Sequence, residues 1–281
     1  MERELQPIYC LSDSQLLFWR EEGGSEPWLA GALAGLEASN GHGLRAAYVG
    51  ASSGDEPAFY SIFQSAVESA GIADHRMILS TFGDEDRRFL DSADLVVLSG
   101  GDPVRGWRIF EQSGLQEAIT RRYFEGAILL GVSAGAVQLG WVAGPEGTPP
   151  DGLSPEDAVL TFRLVPAALG VHDEASEWSH LRRLLQVSGV SVRGLGIPSG
   201  GGLIYHPDGA IEPVRLPVHE LVPEEDGGLR HSLLFPGPEV EAHEAEPVPE
   251  GAGGAVPAPR DRPDDATPND DDRHELTTSE E

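Results

Sequence analysis

Lysine is absent from the 281 residues, and all 19 basic side chains are arginine. That absence excludes a Schiff-base lysine, a P-loop lysine and a serine-lysine dyad. Cysteine occurs once, at Cys10 in the apolar run Ile8-Tyr9-Cys10-Leu11, where a thiol behaves as a small buried hydrophobe. A single cysteine excludes a disulfide within the chain and a cysteine-based zinc site. Long hydrophobic runs are also missing: no stretch approaches 18 apolar residues, and the charged start Met1-Glu2-Arg3-Glu4 leads into no apolar h-region. The expected location is cytoplasmic, with no membrane contact.

Aromatic residues are lacking from Pro238 to Glu281, where seven of 44 residues are proline and 14 acidic residues face three arginines. Such a segment buries too little apolar surface to offset its ordering entropy. The expectation is one α/β domain over residues 1–237 and a disordered acidic tail over 238–281. The tail carries a net charge of −11, leaving −17 of the total −28 on the rest. An acidic domain disfavours nucleic acid as a partner.

What is present is a rhythm. Short apolar runs alternate with helical patterns: Ile8 to Leu11, then Leu29 to Ala38; Ala46 to Val49, then Ala58 to Ala70; Met77 to Leu79, then Glu85 to Ser92; Leu95 to Leu98, then Gly106 to Phe124; and Ala127 to Leu130. This βαβ order predicts a three-layer α/β sandwich with a mostly parallel central sheet. Further strands are expected at Val159 to Val165 and Gly194 to Ile197, a helix around Glu177 to Val187, and a hairpin from Gly202 turning at His206 to Gly209. In such sheets reactive groups collect in the loops at the carboxyl edge. Four loops have the right character: Ser12 to Ser14, Gly50 to Gly54, Ser99 to Asp102 and Gly131 to Ala136.

Gly131-Val132-Ser133-Ala134-Gly135-Ala136 fits G-x-S-x-G directly after a buried run and before a helical one. Small neighbours let a serine sit on a sharp strand-to-helix turn with its hydroxyl projecting, and the next backbone amide, that of Ala134, faces a developing oxyanion. Ser99-Gly100-Gly101-Asp102 ends the preceding parallel strand, so Gly101 can offer the second oxyanion donor. Asp102 also suits a helix N-cap, and Trp107 suits the core.

Together, Gly100-Gly101-Asp102 and the Gly131 to Ala136 elbow resemble the dipeptidase E and cyanophycinase family of serine peptidases, over roughly residues 5–235. The resemblance implies a type 1 glutamine amidotransferase-like fold. It implies a histidine base about 40 residues after the serine, and His172 lies 39 residues on; in a shifted register Glu174 takes that place. Cyanophycinase-like members carry an acid in a late Gly-Ile-Asp-Glu segment, but here Gly196-Ile197-Pro198-Ser199-Gly200 has no carboxylate. The acid is left unassigned, the candidates being Asp173 or Glu174 beside the histidine and the loop with Asp151, Glu156 and Asp157, where dipeptidase-type members place theirs. Relatives hold an aspartyl carboxylate with positive or amide groups, which implicates the turn that begins at Asp102 and, within it, the cation Arg105. The implied substrate is a small aspartyl or isoaspartyl peptide, with no cofactor and no metal; a homodimer stays open. A true glutamine amidotransferase uses a cysteine at the elbow, which argues against glutaminase activity. The competing expectation is a non-catalytic relative that binds a ligand or partner in the same cleft.

Overall fold

The structure, a computed structural model, describes residues 4–20, 25–36, 38, 43–140, 161–187, 192–225 and 227–237. The expected tail and the loop holding Asp151, Glu156 and Asp157 lie outside the described residues.

The strands and helices keep the predicted order, with α1 an element that the sequence reading did not expect: β1 (Ile8–Leu11), α1 (Gln15–Phe18), α2 (Trp28–Ala32), β2 (Arg45–Val49), α3 (Pro57–Ser69), β3 (Asp74–Ile78), α4 (Asp84–Leu90), β4 (Leu95–Leu98), α5 (Pro103–Ser113), α6 (Leu115–Phe124), β5 (Ile128–Val132) and α7 (Ala134–Leu139). Then come β6 (Ala168–Val171), α8 (Ser179–Val187), β7 (Gly194–Ile197), β8 (Gly202–Tyr205), β9 (Ile211–Val214), β10 (Val218–Pro223) and β11 (Leu229–Leu234). The main sheet has the order β3-β2-β4-β5-β1-β8-β9. Its first five strands are parallel and the β8–β9 hairpin is antiparallel. A smaller sheet, β11-β10-β7-β6, pairs β6 with β7 in parallel.

Side chains on each central strand alternate between two cores. Ile8, Cys10, Val96, Leu98 and Leu129 pack with the helices from α4 to α7. Tyr9, Leu11, Leu95, Val97, Ile128 and Leu130 pack with α1, α2 and α3. Because both faces are covered, these strands read as unbroken apolar runs rather than as an alternation. The result is the expected three-layer sandwich. Burial pushes the Cys10 thiol pKa far up, leaving it a packing group.

Three expectations are corrected. The pattern from Gly106 to Phe124 is two helices, because Gly114 takes φ +80° and ends α5 with a left-handed residue. The helix beginning near Leu29 stops at Ala32, and Gly35 is left-handed at φ +86°. The strand expected at Val159 to Val165 does not form among its described residues, 161–165. Their N–H groups go elsewhere: Phe162 donates to the Gln138 carbonyl at 3.0 Å, and Leu164 and Val165 donate to that of Leu139 at 3.0 Å. They satisfy carbonyls at the end of α7, which an isolated helix leaves without partners.

Candidate active site

β5 ends at Val132 and α7 begins at Ala134, so one residue makes the whole turn. Ser133 does so at φ +51°, ψ −112°, a backbone conformation that costs a non-glycine residue about 1–3 kcal/mol. The flanking glycines are steric requirements. A Cβ on Gly131 would come within 2.5 Å of the Ala136 nitrogen, and one on Gly135 within 2.3 Å of the Leu98 carbonyl oxygen. Ser133 N–H donates to the Leu11 carbonyl at 2.9 Å, tying the elbow to β1. The hydroxyl makes no capping bond to its own helix. Instead it lies 2.9 Å from His172 Nε2.

His172 follows the last residue of β6, in the smaller sheet. Its own φ is +42°, and its N–H donates to the Ile197 carbonyl at 3.0 Å. Two sheets thus meet at one serine-histidine contact.

The two adjacent carboxylates have different tasks. Asp173 accepts from the Ser176 hydroxyl and from the His180 N–H at 3.3 Å, and lies 3.5 Å from His180 Nδ1. It fastens the start of α8. Glu174 turns back: its Oε1 accepts from the Ser199 N–H at 3.2 Å. Partial burial pushes the Glu174 carboxyl up, but bonds to the Ser199 hydroxyl, to its own N–H and to the Ser199 N–H, with the His172 charge, outweigh this and lower its pKa. Among the described residues no carboxylate is hydrogen-bonded to the His172 ring.

The Gly100–Gly101 loop packs against the elbow. A Cβ on Gly100 would touch that of Ser133 at 3.4 Å, and one on Gly101 would sit 2.2 Å from the Ser52 carbonyl oxygen. Only glycine fits at Gly101, whose φ is +127°. Among the described residues neither the Gly101 nor the Ala134 N–H meets an acceptor. Asp102 N–H donates to the Ser52 carbonyl at 3.0 Å, while its side chain caps α5 through the Val104 and Arg105 N–H groups at 2.9 and 3.0 Å. Arg105 is exposed, its guanidinium 3.1 Å from where a Gly54 Cβ would stand. Trp107 is core, edge-on to Phe162 at 5.1 Å. Three of the four expected loops converge: Asp13, Ser14, Gly100, Gly101 and Ser133 border one cavity, whereas the Gly50 to Gly54 loop does not line it and instead supports the glycine pair through the Ser52 carbonyl.

Two features escaped the sequence reading. Fully buried Gln138 donates to the Pro103 carbonyl at 2.8 Å, and its amide oxygen lies 3.3 Å from the Ser52 hydroxyl, bracing the Gly101 loop from beneath. On the smaller sheet His219 Nδ1 lies 2.9 Å from His231 Nε2, and the His219 ring packs on Trp178 at 5.0 Å. The residue types gave no warning of either, since each pairing joins distant segments. Among the described residues no three His, Cys, Asp or Glu side chains are grouped to hold a metal ion, and no helix is long and apolar enough to cross a membrane.

Residues 24–163, which include the elbow and the glycine pair, match the model of peptidase family S51. No curated protein matches the chain. Among solved structures, the chain is similar to a peptidase from an acI-B1 Actinobacterium, with 17% identity and a TM-score of 0.61 over 85% of this chain and 97% of that one. It is also similar to the structure named for a peptidase E protein of Listeria monocytogenes EGD-e, with 16% identity and a TM-score of 0.54 over 76% of this chain and all of that one. At such identities the likeness is one of fold.

Proposed function

We propose that this chain, which belongs to peptidase family S51 by the match over residues 24–163, is a serine peptidase with Ser133 as nucleophile and His172 as general base. The observation that carries the reading is the 2.9 Å contact between the Ser133 hydroxyl and His172 Nε2, made by a serine held in a strained turn.

In this reading Ser133 Oγ attacks the scissile carbonyl while its proton passes to His172 Nε2. The oxygen of the tetrahedral intermediate, now negative, is met by the Gly101 and Ala134 N–H groups, with added positive potential from the start of α7. The imidazolium protonates the departing amine, and a water then attacks the acyl-enzyme by the same route in reverse. Glu174, ionised and anchored on Ser199, interacts with the His172 charge through space. The Gly196 to Gly200 segment, which has no carboxylate of its own, holds this one through Ser199. Small peptides are the substrate class; the resemblance implies an aspartyl or isoaspartyl preference drawing on Arg105, but Arg105 does not line the cavity at Ser133, and the lining of that cavity points to a different side chain.

A fluorophosphonate probe tests this. Labelling at Ser133 in the wild type, lost in Ser133→Ala and His172→Ala, is expected, together with a fall in peptide turnover of about 10⁶-fold on removing the serine. Unlabelled Ser133 with intact saturable peptide binding would instead establish the non-catalytic relative. That second reading is favoured by one observation, the lack of a carboxylate hydrogen-bonded to His172 among the described residues.

A further inference from the structure

We infer that the subsite for the acyl side of the scissile bond is an apolar pocket that takes an aliphatic or aromatic side chain and rejects an acidic one. This rests on the reading of Ser133 as nucleophile.

A cavity of about 200 Å³ opens at Ser133, walled by Leu17, Tyr48, Phe59, Ile62, Phe63 and Val97. Leu17, Tyr48, Phe63 and Val97 belong to the core layer on the α1, α2 and α3 face, and Phe59 and Ile62 of α3 stand outside it, so the pocket is a cleft that runs from that core to the carboxyl edge of the sheet. Gly100 and Gly101 share the lining with Ser133, and His172 does not. In acyl transfer the histidine protonates the departing amine and so stands on the leaving-group side. A cavity bordered by the serine and the oxyanion glycines, without the imidazole, therefore receives the side chain of the residue whose carbonyl is attacked.

Its size and polarity define that side chain. Roughly 150 Å³ of dry apolar space is enough for benzene, so 200 Å³ holds the side chain of leucine or phenylalanine. Among the described residues that line it there is no arginine or histidine; the one charged group is Asp13. That carboxylate accepts from the Gln15 N–H at 2.8 Å, the Gln15 side-chain amide at 3.1 Å and the Gly200 N–H at 2.7 Å. A substrate carboxylate entering here would give up its hydration, find no cation and face a like charge. Arg105, the cation suggested for an aspartyl substrate, is not among the lining residues. Phe59 and Ile62 leave 44% and 38% of their surface exposed, an apolar rim that a bound side chain would cover.

Aminoboronic acids report this subsite without any need for turnover. Ser133 Oγ adds to the trigonal boron, its proton passes to His172, and the boron becomes a tetrahedral anion whose side chain lies on the acyl side. The leucine and phenylalanine analogues are expected to protect Ser133 from the fluorophosphonate at concentrations at least tenfold lower than the aspartate analogue. Phe59→Arg and Ile62→Arg, at exposed positions that the fold tolerates, should each narrow or reverse that ratio. Equal protection, tighter binding of the aspartate analogue to the wild type, or unchanged ratios in both variants overturns the inference while leaving Ser133 as nucleophile. Absence of fluorophosphonate labelling in the unprotected wild type overturns the nucleophile reading and the subsite with it.

Discussion

Ser199 holds Glu174 by two groups: its N–H donates to Glu174 Oε1 at 3.2 Å and its hydroxyl binds the same carboxylate. These residues lie 25 positions apart, one after β6 and one after β7, so the parallel pairing of those strands brings them to one edge.

Glu174→Gln keeps an oxygen for Ser199 and removes the charge felt by His172. The expected result is a 10- to 100-fold fall in kcat with KM little changed, smaller than the roughly 10⁴-fold loss when a triad acid hydrogen-bonded to its histidine is neutralised. Asp173→Asn should leave kcat within about threefold and instead lower the melting temperature by roughly 2–4 °C, because Asp173 fastens the start of α8. Equal kinetic losses in the two variants would remove the distinction between them.

Gly135→Ala adds one methyl group where 2.3 Å separates it from a backbone oxygen of β4. Backbone cannot step aside as a flexible side chain can. The expected cost is about 1–3 kcal/mol, or a drop of roughly 2–10 °C in melting temperature. Turnover should fall as well, since any relief moves α7 and the Ala134 N–H. A thermal scan matching wild type would show that the elbow is looser than its geometry implies.

Gln138→Leu removes the amide that joins Ser52 to Pro103. It leaves the buried Ser52 hydroxyl without its partner, a loss of about 1–3 kcal/mol. Because Asp102 and Gly101 rest on the Ser52 carbonyl, the variant should lose oxyanion stabilisation and lower kcat more than it raises KM. A change confined to KM would count against the bracing role.

How much of this was legible depended on the range of the interactions involved. Leu95 to Leu98 identified itself as a buried parallel strand because all four side chains are apolar and both sheet faces are covered. Ser133 was legible because the elbow is local: strand, small residues and helix lie within a few positions. His172 was legible only through the family resemblance, since nothing within its own segment points at a serine 39 residues away. The Val159 to Val165 misreading has a definite cause: an apolar run reads as a strand, but Phe162, Leu164 and Val165 bond to the end of α7, a partner that periodicity does not reveal. Glu174–Ser199 and Ser52–Gln138 were hidden for the same reason, being long-range pairings of common residue types.

The paired histidines give the last prediction, on pH. Burial lowers the His219 pKa, the facing His231 and Arg182 lower it further, and Glu174 opposes them. The folded state therefore disfavours a proton that the unfolded chain accepts near pH 6.5. With more protons bound to the unfolded state, stability rises with pH in that window, so the contribution is present above about pH 6.5 and lost as the pH falls below it. The wild type should melt lower at pH 5.5 than at pH 7.5 from this source. His231→Gln should flatten the slope, because a neutral amide can partner His219 without competing for a proton. Identical slopes in wild type and variant would assign the acid sensitivity to other groups.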